Sequence, residues 1–161
     1  MTLNNKTSIL GIDPGIANTG WAIIEIDKQN SKNIEIKDVS LIKTLADEDI
    51  GIRIKTITTE LTEKIKLVDI VAVEKIFFHS RISSTLTTAY VIGSILYQSS
   101  YQNKIISEIR PQQAKIALGL KSTASKAHVG RKIEAMFKKT YNQHTADAIA
   151  IAIAGNLYHK K

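Results

Sequence analysis

Thr7-Ser8-Ile9-Leu10-Gly11-Ile12-Asp13-Pro14-Gly15 decides how this chain is read. It is a short apolar run that ends in a carboxylate and passes at once into turn residues. An ion withdrawn from water must be paired or neutralised, so a charge at the end of a buried strand needs a reason. A second apolar run, Asp69-Ile70-Val71-Ala72-Val73-Glu74, ends the same way. A third acid, Asp147, opens the small-residue stretch Ala148-Ile149-Ala150-Ile151-Ala152-Ile153-Ala154. Three acids at the ends or starts of core elements, with no evident Lys or Arg between them, suit Mg²⁺ or Mn²⁺.

Around these runs the periodicity predicts strands over 8–13, 19–26, 33–42, 70–77 and 104–109. The strand over 70–77 is apolar without alternation, as expected when both faces are covered. Helical spacing of Ile50, Ile54, Ile57, Leu61 and Ile65 predicts a helix over 49–67. Another is expected over 83–102, with Leu86, Tyr90, Gly93 and Tyr97 on one stripe. Arg110-Pro111 opens a helix with proline in its first turn, and further helices are expected over 124–139 and 143–157. The Ala-Ile repeat in the last has a strand-like period of two, but its alanine content and Gly155, read as a C-cap, favour a helix. Hairpin-linked strands followed by crossover units imply an α/β fold, a five-stranded mixed sheet flanked by helices on both faces.

The 161 residues are 43% hydrophobic, which fits one globular domain over 1–161 with a real core. No apolar run is long enough to span a membrane, and residues 1–6 lack an apolar export segment. The absence of cysteine excludes disulfides and thiolate metal sites and fits a reducing compartment. A cytoplasmic protein that does not engage a membrane is the expectation. Charge is uneven: residues 1–100 carry 11 Lys and Arg against 12 Asp and Glu, residues 101–161 carry 11 against 3. A basic final third on a near-neutral body suits a polyanionic partner.

In such a sheet Asp13 and Glu74 would lie side by side at one edge. His144 and Asp147, three apart, share a face of the last helix. If that helix crosses the edge, Asp13, Glu74, His144 and Asp147 form one site able to hold two Mg²⁺ ions for in-line displacement at a phosphate. Taken singly, Asp13 could equally cap a turn and Asp147 a helix. Of Phe77 and Phe78, one reads as core and the other as a candidate for stacking on a base. Lys115, Lys121 and Lys126 are either a solvated face or phosphate contacts.

Three segments in order, Gly11-Ile12-Asp13-Pro14-Gly15 with Thr19-Gly20-Trp21, then Ala72-Val73-Glu74-Lys75-Ile76-Phe77, then His144-Thr145-Ala146-Asp147-Ala148-Ile149-Ala150-Ile151-Ala152, resemble the RuvC family of Holliday junction resolvases. The resemblance spans nearly the whole chain and implies an RNase H-like fold. It implies a Mg²⁺-dependent endonuclease that resolves four-way DNA junctions by paired, symmetric nicks in recombination and repair. Mn²⁺ is expected to substitute. It puts catalytic, metal-binding acids at Asp13, Glu74 and Asp147, and His144 at a fourth position that is usually an acid. It also implies base stacking by Phe77 and DNA contact by Lys115 and Lys126, eleven residues apart. Where the family usually has Gly-x-Gly between these lysines, this chain has Leu120 and Ser122, so the loop shape is expected to differ. The stripe Leu86, Tyr90, Gly93, Tyr97 falls on the helix that resembles the family's dimer interface, which implies a homodimer. A branch-migration helicase complex is a further partner the resemblance raises.

Three rival readings stand beside it. Gly-Ile-Asp-x-Gly also opens actin-like and Hsp70-like ATPases, but that class usually needs a much longer chain than these 161 residues. A branched-DNA nuclease of phage type, with relaxed junction and sequence selectivity, would use the same chemistry. A non-catalytic junction-binding protein would not need all three acids.

Overall fold

The computed structural model describes residues 5–76 and 82–159. Strand β1 (Lys6–Asp13) is central, and β2 (Asn18–Asp27) returns antiparallel to it. Strand β3 (Ile34–Lys43) pairs antiparallel with β2 at one edge. After helix α1 (Ile50–Lys66), β4 (Ile70–Glu74) lies parallel to β1 on its other side. Helix α2 (Ile82–Tyr101) then leads to β5 (Ile105–Ile109), parallel to β4. The sheet order is β3-β2-β1-β4-β5. Helices α3 (Pro111–Ala117), α4 (Lys126–Phe137) and α5 (Gln143–Tyr158) complete the chain. This is the expected mixed, five-stranded α/β architecture.

Alternation along each strand divides the core into two layers. Leu10, Ile12, Trp21, Ile23, Val71 and Val73 pack with α1 and α2. Ile9, Ala22, Ile24, Ile70, Ala72 and Ile109 pack with α3, α4 and α5 on the opposite face. Helix α5 is buried from Ala148 to Gly155 because the sheet covers one side and α3 and α4 the other. That enclosure is why an Ala-Ile repeat without helical amphipathicity still forms a helix. Small residues let α5 lie close to the sheet. A Cβ added at Gly11 would overlap the Ala148 carbonyl oxygen and lie 2.7 Å from Ala152 Cβ.

Two boundaries differ from expectation. Strand β4 stops at Glu74, short of residue 77: the Lys75 amide makes a last bond to the Ile109 carbonyl, and β5 ends there as Arg110-Pro111 turns into α3. Helix α5 does not end at Gly155 but continues to Tyr158. Gly155 is a contact residue, since a Cβ there would come within 2.6 Å of Ala72 Cβ.

Candidate active site

Period-two alternation puts Asp13 on the face of Ile9 and Gly11, and Glu74 on the face of Ile70 and Ala72. Both are therefore on the α5 side. Gly11 pairs with Ala72 and Ile12 with Val73, so the next step in register sets Asp13 against Glu74. Helix α5 starts over this edge, capped by Asn142 Oδ1, which accepts from the Thr145 amide at 3.0 Å. Its first turns bring His144 and Asp147 to the two acids. Gly20 makes this approach possible, because a Cβ there would strike the His144 backbone.

Asp13 is 7% exposed. Its Oδ2 lies 2.7 Å from His144 Nδ1. A carboxylate only accepts, so Nδ1–H is the donor, and Nε2 is the ring nitrogen this bond does not use. Burial pushes the Glu74 carboxyl up to about 7, and the charges of Asp13 and then Asp147 add to the effect, with Lys126 opposing. Burial also raises Asp147, against the pull of Lys126. The ammonium of Lys126 is 3.3 Å from Asp147 Oδ2. Burial disfavours that ammonium, but Asp147, Asp13 and Glu74 outweigh it and raise the Lys126 pKa.

The lysine is a correction. The acids were expected to cluster with no Lys or Arg between them, yet Lys126 reaches across from the start of α4. A tertiary contact between residues 21 apart in sequence left no local signal. Ser125, whose side chain caps α4 by accepting from the His128 amide, is the one hint that Lys126 opens a helix.

Glu74, Lys115, Lys126 and Asp147 line one cleft of about 170 Å³ with Pro111, Ala114, Val129, Ala150 and Ile151. Lys121 is exposed between α3 and α4 and does not line it. Phe77, the expected base-stacking residue, lies outside the described residues. On α2, Leu86, Tyr90, Gly93 and Tyr97 are all exposed, while Val91, Ile92 and Ile95 turn inward. Tyr101 extends that stripe and stacks on Tyr97, ring centroids 6.2 Å apart.

Carboxylates with one imidazole are a hard donor set, the chemistry that suits Mg²⁺ or Mn²⁺. Acids that raise one another's affinity for protons also favour a bound cation. The three acids share this edge, but among the described residues no group of three His, Asp or Glu side chains is already spaced to hold an ion.

Comparison with known proteins places the chain as a whole. Residues 9–155 match the family model for crossover junction endodeoxyribonuclease RuvC. The chain is 36% identical to the crossover junction endodeoxyribonuclease RuvC of Prochlorococcus marinus over 156 residues, covering 90% of this chain and 93% of that protein. The same enzyme of Halothermothrix orenii is 34% identical, with 93% of each chain covered. Among solved structures, Thermus thermophilus RuvC superposes with a TM-score of 0.82 at 24% identity, over 91% of this chain and 92% of that one. Its complex with a Holliday junction substrate gives 0.79 at 23% identity, over 91% of each. The structures agree in fold, and the family model with the curated relatives settles kinship: this chain belongs to the RuvC family of crossover junction endodeoxyribonucleases.

Proposed function

We propose that this chain resolves four-way DNA junctions by hydrolysing phosphodiesters in opposed strands, with Asp13, Glu74, Asp147 and His144 as its catalytic, metal-holding group. The observation that carries this reading is the convergence of three acids, from β1, β4 and α5, on one edge beside two lysines. These four side chains would hold Mg²⁺, two ions per site, with Mn²⁺ able to replace it. What bound Mg²⁺ adds is neutralisation of charge building on the phosphate oxygens and a water acidic enough to attack. The protein's own groups hold and orient. Asp13 fixes the His144 ring so that Nε2 stays available. The start of α5 adds the positive end of a helix dipole to an otherwise anionic site. Lys115 and Lys126 line the acid cleft and would seat backbone phosphates without reading sequence. Phe77 would stack on an unpaired base close to the cut.

The experiment that tests this reading compares a mobile four-way junction, a fork and a plain duplex, each with Mg²⁺ and with EDTA. Paired symmetric nicks in the junction, only with Mg²⁺, are expected. Equal cutting of fork and junction would favour the relaxed branched-DNA nuclease, and binding without cutting would favour a non-catalytic protein.

Three further outcomes follow from particular residues. His144→Ala should cost more activity than His144→Asp in single-turnover cleavage, because aspartate restores a donor where alanine leaves none. Equal rates for wild type and His144→Ala would make the histidine a bystander. Lys115→Ala and Lys126→Ala should each lower the slope of log affinity against log salt by roughly one. An unchanged slope would place that lysine off the DNA path.

The exposed α2 stripe would form a two-fold dimer interface, bringing two sites to opposed strands. Leu86 and Tyr90 would supply apolar contact. At Gly93 no atom of the described residues lies within 4 Å of an added Cβ, which leaves room for close approach. Tyr90→Asp should shift the protein to monomer in light scattering and uncouple the two nicks. A wild type that is monomeric at micromolar concentration, yet nicks in concert, would contradict the dimer.

A further inference from the structure

We infer that Lys126 couples substrate to cation: in the free protein it occupies Asp147, and a DNA phosphate that draws it away releases Asp147 for the divalent ion. This rests on the reading of Asp147 as a metal ligand and Lys126 as a phosphate contact. Three observations carry it. The first is the ion pair itself, with Lys126 Nζ 3.3 Å from Asp147 Oδ2. A carboxylate neutralised by an ammonium is a poorer ligand, since an arriving ion must displace the lysine.

The second is the difference in freedom between the partners. The Asp147 side chain is 17% exposed and the Lys126 side chain 63%. Asp147 sits on α5, locked between the sheet and the α3–α4 layer. Lys126 is the first residue of α4, at the end of a four-carbon stem. The pair therefore opens by movement of the lysine, outward to where a DNA backbone would run. The third is that no other lysine or arginine among the described residues pairs with the site acids. Lys75, next to Glu74 in sequence, turns instead to Glu108 at 3.7 Å. Lys115 lines the same cleft but forms no ion pair with a described carboxylate.

One lysine with two alternative anionic partners links two equilibria. Phosphate and Asp147 compete for Lys126, and Lys126 and the cation compete for Asp147. DNA therefore tightens cation binding, and the cation tightens DNA binding by the same factor. Such an exchange keeps Asp147 neutralised in the free protein and favours cation loading once substrate is seated.

The test pairs Mn²⁺ calorimetry on DNA-free protein with junction binding in EDTA. Lys126→Met should bind Mn²⁺ roughly five- to tenfold more tightly than wild type, and Lys115→Met should change that affinity less. In EDTA, Asp147→Asn should tighten junction binding by freeing the lysine, and this gain should vanish in the Lys126→Met, Asp147→Asn double variant. Simple repulsion between Asp147 and DNA would give the same gain in both backgrounds, and that additive result overturns the coupling. So does an unchanged Mn²⁺ affinity in Lys126→Met. The underlying reading fails differently: Asp147→Asn would keep wild-type Mn²⁺ affinity if Asp147 is no ligand. Lys126→Met would keep wild-type junction affinity in EDTA if the lysine never meets DNA. Either result also ends the coupling.

Discussion

Asp13→Asn, Glu74→Gln and Asp147→Asn should each lower single-turnover junction cleavage by about 10³-fold or more while the junction is still bound. Each change removes a charge directed at the cation and keeps nearly the same side-chain size, so packing survives. Loss of several kcal/mol of transition-state stabilisation, at about 1.4 kcal/mol per tenfold, gives that scale. A variant that cuts near the wild-type rate with Mg²⁺ would remove its residue from the site. Glu74→Gln carries a second expectation, opposite in sign. The folded-state pKa of Glu74 is raised from 4.5 to about 7. As pH rises the unfolded chain therefore gives up this proton first. The folded state loses stability from about pH 4.5 upward, and the loss is complete above about pH 7. Glutamine has no proton to lose. The metal-free variant should be more stable than wild type at pH 8 by about 2 kcal/mol, discounted for partial solvent access, and the gap should close below pH 4.5. Parallel denaturation curves from pH 4 to 8 would contradict a charge held there against its environment.

Gly11→Ala should be the most damaging conservative change in the core. The added methyl meets the Ala148 carbonyl and the α5 backbone rather than a side chain that could rotate. Relief requires moving the whole helix. Overpacking costs of about 3 kcal/mol are expected, or roughly 10 °C in Tm for a chain of this size. Because α5 carries His144 and Asp147, cleavage should also fall at temperatures where the variant is fully folded. Gly130→Ala is the control. Gly130 lies inside α4, with no atom of the described residues within 4 Å of an added Cβ. Alanine there should be neutral or stabilise by up to about 1 kcal/mol. Equal melting temperatures for Gly11→Ala and wild type would mean that α5 does not hold the sheet as closely as described.

Much of this was legible in the amino-acid order because strands signal themselves locally. The apolar runs before Asp13 and Glu74 show period, length and flanking turns, and their parallel pairing puts two acids on one face without further information. The His144 to Asp147 spacing likewise survives translation into a helix. What was not legible depends on contacts between distant segments. Gly155 has the sequence appearance of a helix end, but Ala72 packs against it and the helix passes through. Residues 75 and 76 have strand character, yet β4 stops at Glu74 because β5 ends at Ile109 and offers it no further partner. Lys126 was readable as a basic residue near the right place. Its reach to Asp147 depends on how α4 docks against α5, which no local pattern encodes.

The most direct measurement of the central claim is Mn²⁺ binding by calorimetry to DNA-free wild type, Asp13→Asn, Glu74→Gln and Asp147→Asn at pH 8. If β1, β4 and α5 build one cation site, wild type binds and each substitution weakens binding by roughly tenfold or more. Wild-type affinity in all three variants would show that the acids do not share a cation, and the proposed active site would fall with them.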